Sequence, residues 1–181
     1  MPELVLLTHA TEFDRPTNTG RLVLQTALEN LAAQTDSVTW QVRTPLWQRK
    51  CPDPALIASI KAAADNPLRP YVLLFPATDA RTVNVDMSYC PTNDVPAFPA
   101  GFILLDATWQ QAQKMYNQSP YLHALPKWQI VSTRPSTYTL RRNQKQQGWC
   151  TAEIVMMLWG HLGAIEQADQ LEARFMAFNQ R

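Results

Sequence analysis

Short apolar runs bounded by turn residues recur along the chain. They cover residues 4–8, 38–42, 71–75, 102–105 and 128–131. Each is four or five residues long and largely apolar, which is typical of strands that are buried on both faces of a sheet. We therefore predict a sheet built from these five runs.

Helical patterns separate the runs. Asp53 and Pro54 fit the N-cap and the first position of a helix over 55–64, and the segment 151–178 is helical apart from an interruption at its glycines. Another helix is predicted after Thr19-Gly20 by apolar residues at helical spacing, namely Leu22, Val23, Ala27, Leu28 and Leu31. Strands that alternate with helices predict βαβ units, so we expect an α/β fold with a mostly parallel sheet flanked by helices.

The segment 76–99 interrupts this alternation. It is rich in Thr, Asn, Asp and Pro and shows no periodicity. We predict a long loop, and loops of this length in compact proteins are usually functional or mobile.

Length and composition set the class of protein. A chain of 181 residues that is 46% hydrophobic fits one compact domain over 1–181. No apolar stretch approaches the roughly 18 residues of a membrane span, and residues 1–10 show neither a basic leader nor a cleavage pattern. We expect a soluble, cytoplasmic protein with no membrane partner.

The charge is distributed unevenly although the formal net charge is only +1. Residues 107–152 hold no Asp or Glu and carry six cations, and the rest of the chain has ten cations against fifteen acids. The six are Lys114, Lys127, Arg134, Arg141, Arg142 and Lys145. Such a basic segment favours polyanions and in particular nucleic-acid phosphates. The alternative is an ordinary solvated surface.

Cysteine and histidine spacings give no sign of a metal site. Cys51, Cys90 and Cys150 are far apart and form no C-x-x-C pair, and His9, His123 and His161 show no paired spacing. We therefore predict reduced thiols and no metal. The sequence also lacks a P-loop, and no G-x-G-x-x-G follows the first strand, which disfavours a Rossmann nucleotide site.

Asp106 is the main candidate for chemistry. It ends the predicted strand 102–105 and precedes Thr108-Trp109, which starts a predicted helix. Reactive groups of open α/β sheets cluster at the carboxyl ends of strands. From position alone, however, a helix cap formed by the Asp106 carboxylate is the favoured interpretation.

Four short motifs resemble those of one family. Asp106-x-Thr108-Trp109 resembles the D-x-T-W signature of the DTW-domain family, although Ala107 stands where the family commonly has Gly. The other three are Thr17-Asn18-Thr19-Gly20, Ser136-x-Tyr138-x-Leu140-Arg141 and Cys150-Thr151-Ala152-Glu153. Longer members of the family also carry an N-terminal cysteine cluster suited to zinc, which this sequence lacks.

The resemblance implies a fold and an activity. It implies a SPOUT-like α/β fold with a C-terminal trefoil knot, and S-adenosylmethionine as donor substrate with no metal. The characterised members are tRNA-uridine aminocarboxypropyltransferases, which move the 3-amino-3-carboxypropyl group to N3 of a uridine and release methylthioadenosine. We therefore expect tRNA as the partner, and no obligate protein partner is evident.

Roles follow for individual residues. Asp106 is the candidate base for N3, with Thr108 and Trp109 beside it. Cofactor contacts are expected at strand ends and at the start of the last long helix, from Phe75, Pro76, Leu104, Tyr138 and Thr151. RNA contacts are expected from Thr17, Asn18, Lys114, Arg134, Arg141, Arg142 and Lys145.

Several alternatives stay open at this point. Thr108 is equally a first-turn hydroxyl, Trp109 a core indole and Thr151 an N-cap, and Arg141 is also suited to holding the cofactor carboxylate. For the whole protein, the alternatives are an aminocarboxypropyltransferase acting on ribosomal RNA, a SPOUT-type RNA methyltransferase, or a non-catalytic RNA-binding module.

Overall fold

A computed structural model describes residues 1–33, 39–86, 99–140 and 148–180. The strands are β1 (Glu3–Thr8), β2 (Gln41–Arg43), β3 (Tyr71–Leu74), β4 (Arg81–Asn84), β5 (Gly101–Asp106) and β6 (Lys127–Val131). The helices are α1 (Ala10–Phe13), α2 (Gly20–Ala33), α3 (Pro54–Ala64), α4 (Trp109–Asn117), α5 (Pro120–His123), α6 (Thr151–His161) and α7 (Ile165–Asn179).

The strands form one six-stranded sheet in the order β2-β1-β5-β3-β6-β4, and all of its pairings are parallel. The predicted α/β class with helices flanking the sheet is confirmed. So is the predicted start of α3, where the Asp53 carboxylate accepts a hydrogen bond from Leu56 N at 2.7 Å and Pro54 follows. The predicted interruption of the last helical segment lies between α6 and α7, where Gly163 has φ +88°.

Two predictions about strands were wrong. The segment 76–99 was predicted as loop, yet it contains β4. This edge strand buries only Val83, so it leaves no apolar pattern in the sequence. Burial on both faces holds for β1, β3 and β5 but not for β2 or β6. β2 is a three-residue edge strand, and it begins later than the predicted run 38–42; β6 pairs with only two residues of β3.

Side chains that alternate along the strands fill two cores on opposite faces of the sheet. Leu4 and Leu6 of β1 lie in the first core with Leu104 of β5, and α2, α6 and α7 cover this face. Val5 and Leu105 lie in the second core, which α3, α4 and α5 cover. Thr8 and Asp106 end their strands two residues after Leu6 and Leu104, so their side chains point toward the helices of the first core.

The connections after β1 and β5 leave the sheet in opposite directions. β1 leads to α2 on the first face, whereas β5, its neighbour, leads to α4 on the second face. Such a switch point opens a crevice at the carboxyl ends of the two strands, and ligands of open α/β sheets bind there. Thr8 and Asp106 are register partners at this edge. The predicted knot stays a prediction, because segments 87–98 and 141–147 lie outside the described residues.

Candidate functional site

The Asp106 carboxylate is the centre of a buried hydrogen-bond network at the switch point. Asp106 is only 4% exposed. Oδ1 accepts a hydrogen bond from the Thr151 hydroxyl at 2.7 Å, and Oδ2 accepts one from the Asn18 amide at 2.8 Å. The Thr8 hydroxyl lies 3.3 Å from Oδ2 and 3.0 Å from Leu6 O, and its single proton serves one of these acceptors at a time. All three partners carry protons that they can donate, and the carboxylate accepts through both of its oxygens.

Hydrogen bonds to both polar atoms of its side-chain amide hold Asn18 in place. The two protons of its amide nitrogen go to Asp106 and, at 2.8 Å, to Glu12 O, while its oxygen accepts from Gly20 N at 2.5 Å. Gly20, the first residue of α2, passes so close that a Cβ there would lie 2.8 Å from Asp106 Oδ2. A side chain at the first residue of α2 would therefore displace the carboxylate.

A second carboxylate ties the start of α6 to the segment before it. Glu153 accepts hydrogen bonds from the Ser136 hydroxyl, from Thr137 N at 2.7 Å and from Cys150 N at 2.8 Å. The Tyr138 hydroxyl in turn donates to Thr17 O at 2.6 Å. Ala152 N, in the first turn of α6, donates to the Thr19 hydroxyl at 3.2 Å. Parts of the chain more than a hundred residues apart are thus joined around Asp106.

The helix caps overturn two alternative interpretations of the sequence. Asp106 does not cap α4, because the N-cap is Thr108, whose side chain and that of Gln111 form a capping box. Thr151 is not the cap of α6, because the N-cap is Cys150. Both Asp106 and Thr151 therefore have side chains free for each other.

Trp109 is not a core indole, as one interpretation of the sequence had it. It is 40% exposed, and its ring stacks on Phe75 with ring centroids 5.6 Å apart. Phe75 stacks in turn on Tyr116 of α4 at 4.7 Å. Aromatic rings thus form a column that ends in a partly exposed indole beside the carboxyl ends of β3 and β5, where a planar ring could stack.

Comparison of the chain with models of known protein families finds a match. The DTW domain model matches residues 2–181, which is nearly the whole chain. The chain belongs to the DTW-domain family. This family is associated with tRNA-modifying enzymes. No solved structure matches the chain.

In this DTW domain, the four motifs meet at one place. Asn18 and Gly20 contact Asp106 from one motif and Thr151 contacts it from another. The motif that begins at Ser136 joins them through Glu153. The sequence pattern showed the order of these motifs, and the structure brings them together.

The residues expected to contact the cofactor lie in different surroundings. Phe75 and Pro76 follow the end of β3, and Pro76 is exposed. Leu104 packs into the first core and Tyr138 is buried with its hydroxyl on Thr17 O, so both support the site from within. Thr151, which is only partly buried, is the one of the five that contacts Asp106.

The residues expected to contact RNA are also divided. Asn18 is 5% exposed with its amide fully used, so the geometry favours a role in holding Asp106. Lys114 of α4 and Arg134 after β6 are exposed, and Thr17 is partly buried. Arg141, Arg142 and Lys145 lie outside the described residues.

Two functional contacts escaped the sequence analysis. Thr8 was assigned only to a strand, although a polar residue at the carboxyl end of an apolar run is a usable signal. Glu153 was quoted only as part of a motif, and its link to Ser136 depends on tertiary structure. Within the described ranges, no group of three or more His, Cys, Asp or Glu side chains is arranged to hold a metal ion, and none of the helices there is long and apolar enough to span a membrane.

Cys150 sits beside this network but is a poor nucleophile. Burial, followed by the charge of Glu153, raises the pKa of its thiol to about 12. The thiolate is the reactive form of cysteine. Cys150 is therefore protonated near neutral pH, and no covalent cysteine chemistry is expected from it.

Proposed function

We propose that the protein transfers the 3-amino-3-carboxypropyl group of S-adenosylmethionine to N3 of a tRNA uridine and releases methylthioadenosine. The observation that carries the proposal is the contact of Asp106 with both Asn18 and Thr151. A buried carboxylate of one family motif, held by residues of two others, thus lies at the switch point where α/β folds bind ligands. Membership of a family associated with tRNA-modifying enzymes supports it.

The chemistry requires a proton acceptor and alignment. Uridine N3 is a weak nucleophile while it carries its proton, and Asp106 is the proposed acceptor of that proton. A positioned base typically contributes about 10²- to 10⁴-fold to the rate, and alignment of the reactants contributes further. The bound donor supplies a sulfonium, which is an activated leaving group.

The residues present suit a cationic nucleoside donor. The Trp109 indole is 40% exposed and stacks on Phe75, and aromatic faces attract cations. We propose that Phe75, Pro76 and Thr151 border the donor, with Leu104 and Tyr138 supporting them.

We propose that the basic segment binds tRNA phosphates. Arg134 is exposed two residues before Ser136, and its carbonyl accepts a hydrogen bond from the Trp149 indole at 3.2 Å. Lysine and arginine side chains with nearby aromatic rings are the mixture that holds phosphates and stacks bases. Arg141, Arg142 and Lys145, outside the described residues, are proposed as further contacts, and so are Thr17 and Lys114.

Nucleoside mass spectrometry tests the proposed reaction. The protein is incubated with tRNA and S-adenosylmethionine, and both the nucleosides and the small-molecule product are analysed. Aminocarboxypropyluridine together with methylthioadenosine is the expected result. Adenosylhomocysteine would indicate a methyltransferase instead, modification of ribosomal RNA alone would change the substrate, and no product in either RNA would favour a binding module.

Asp106→Asn tests the proposed base. An amide at this position keeps an oxygen for the Asn18 donor and can turn its nitrogen toward the Thr151 hydroxyl, so the fold should tolerate the change. We expect loss of transfer with nearly unchanged S-adenosylmethionine affinity, measured by calorimetry. Full activity of this variant would exclude Asp106 as the base.

The salt dependence of tRNA binding tests the phosphate contacts. In an Arg141→Ala/Arg142→Ala double variant, loss of two contacts should flatten the slope of log affinity against log salt. An unchanged slope with reduced activity would point to the cofactor carboxylate as the partner of Arg141.

A further inference from the structure

Asp106 is shielded from solvent by most of its own partners. Asp106, Asn18 and Thr8 are 4%, 5% and 3% exposed, respectively. Among the side chains that donate to the carboxylate in the described part of the chain, only Thr151 is partly exposed. Thr151 is therefore the one of these partners that is open to contact from outside the network.

The two carboxylate oxygens differ in access. The Asn18 amide occupies Oδ2, and the backbone of Gly20 closes that side so tightly that a Cβ there would be 2.8 Å away. Oδ1 faces the Thr151 hydroxyl, whose oxygen lies 2.7 Å away. This is the usual length of a hydroxyl hydrogen bond to a carboxylate.

The Thr151 hydroxyl is held by backbone that is itself fixed. Thr151 is the first residue of α6. The N–H groups of its neighbours Cys150 and Ala152 donate hydrogen bonds to the Glu153 carboxylate and the Thr19 hydroxyl, respectively. A hydroxyl has one proton to donate and lone pairs to accept. While it donates to Asp106, the Thr151 oxygen keeps acceptor capacity for a second group, such as a substrate N–H.

We infer that the Thr151 hydroxyl is a catalytic proton relay, which takes the N3 proton of the substrate uridine and passes its own proton to Asp106. This inference rests on the proposed function and assigns to Thr151 the contact with the reacting atom. Asp106 remains the final proton acceptor but acts through Thr151.

The step balances in atoms and charge. The N3–H proton moves to Thr151 Oγ while the Thr151 proton moves to Asp106 Oδ1. N3 forms a bond to the side-chain methylene carbon that is attached to sulfur, and the carbon–sulfur bond breaks with its electron pair going to sulfur. The sulfonium becomes the neutral thioether of methylthioadenosine, and Asp106 ends protonated and neutral.

The decisive variants are Thr151→Val and its matched control Thr151→Ser. Valine keeps the shape of threonine without the hydroxyl, whereas serine keeps the hydroxyl. In single-turnover transfer, we expect Thr151→Val to lose about 10²- to 10⁴-fold and Thr151→Ser to stay close to wild type. The rates are compared at S-adenosylmethionine concentrations that calorimetry shows to be saturating for each protein, so that the loss appears in the chemical step.

Two further readouts separate a relay from a structural contact. In tRNA transcribed with 5-fluorouridine, N3–H is more acidic and needs less help from a base, so the gap between Thr151→Val and wild type should narrow. In addition, Asp106→Asn/Thr151→Val should be no slower than Asp106→Asn alone, because both changes interrupt one proton path.

A measurement on the wild-type protein covers the case in which Thr151→Val does not fold. A relay moves two protons in the transfer step. Single-turnover rates measured in mixtures of light and heavy water, and plotted against the deuterium fraction, should therefore fall on a curve. A straight line, near-normal activity of Thr151→Val, or an unchanged gap with 5-fluorouridine would each overturn the relay while leaving the transferase activity intact. If wild-type protein makes no aminocarboxypropyluridine at all, the proposed function fails and the relay with it.

Discussion

Gly20→Ala should destabilise the protein, although alanine normally strengthens a helix. The new Cβ would lie 2.8 Å from Asp106 Oδ2, 3.1 Å from Asp106 Cγ and 3.0 Å from Asn18 Oδ1. Ordinary contact begins near 3.4 Å, so the carboxylate has to retreat by about 0.6 Å from atoms that are packed close together. Directed away from Asn18, that retreat lengthens the 2.8 Å hydrogen bond from Asn18 to Asp106 to about 3.4 Å, where a hydrogen bond is weak.

The magnitude follows from two opposing terms. A hydrogen bond to a charged group contributes about 1.5–3 kcal/mol to the free energy of unfolding. Alanine in place of glycine returns at most about 1 kcal/mol of helix propensity, and less at the first helical residue. We therefore expect Gly20→Ala to lower the free energy of unfolding by about 1–2 kcal/mol, measured by urea denaturation.

Two other glycines serve as controls. At Gly160, inside α6, the one described neighbour of a Cβ would be Ala168 at 3.9 Å, so Gly160→Ala should be neutral or stabilise by about 0.5–1 kcal/mol. At Gly163 a Cβ would have no neighbour within 4 Å among the described residues, but φ is +88°, so alanine should cost about 1 kcal/mol through the backbone alone. Transfer activity should fall only in Gly20→Ala. If Gly20→Ala is as stable and active as Gly160→Ala, the close approach at Asp106 does not shape the site.

Three more predictions concern exposure and buried charge. Trp109→Ala should weaken tRNA or S-adenosylmethionine binding while lowering the free energy of unfolding by only about 1 kcal/mol. Its control, Trp159→Ala, removes a fully buried indole and should lower the free energy of unfolding by about 3–5 kcal/mol. Equal losses of the two variants in urea denaturation would contradict this. Iodoacetamide at pH 8 should label the exposed Cys51 and spare Cys150, whose pKa is about 12, until the protein is unfolded, as peptide mass spectrometry can check. Glu153→Ala leaves two backbone N–H groups and a hydroxyl without their acceptor, so a loss of about 2–4 kcal/mol is expected, and a melting temperature within a degree of wild type would refute it.

The fold was largely predictable because its central strands are continuous apolar runs. β1, β3 and β5 bury every or nearly every residue, and short apolar runs between turn residues are typical of strands buried in this way. β4 escaped because an edge strand needs only one buried side chain, here Val83. The strand order also escaped, since apolar runs carry no information on which strands are neighbours.

The candidate site was predictable in some of its members but not in its connections. Motif resemblance predicted Asp106, Asn18 and Thr151 as site residues, whereas Thr8 and Glu153 escaped. Asn18 and Thr151 lie 88 and 45 residues from Asp106 in the sequence, so only the folded chain shows that the three form one network. The exposed state of Trp109 was likewise undecided, because an indole near a strand end suits both a core and a surface.

A neighbouring residue decides between a capping role and a site role for Asp106. An Asp just before a helix has a local use, since its carboxylate can accept the free N–H groups of the first turn. In this chain Thr108 fills that role, because its capping box with Gln111 provides hydrogen-bond partners at the start of α4. Asp106 is thereby left to bind partners distant in sequence, and a buried carboxylate is tolerated only where donors surround it. By capping α4 itself, Thr108 leaves the Asp106 carboxylate available to the site. Thr108→Ala should therefore lower the stability of α4 by about 1 kcal/mol. Transfer should fall in this variant only if Asp106 then turns toward the uncapped helix.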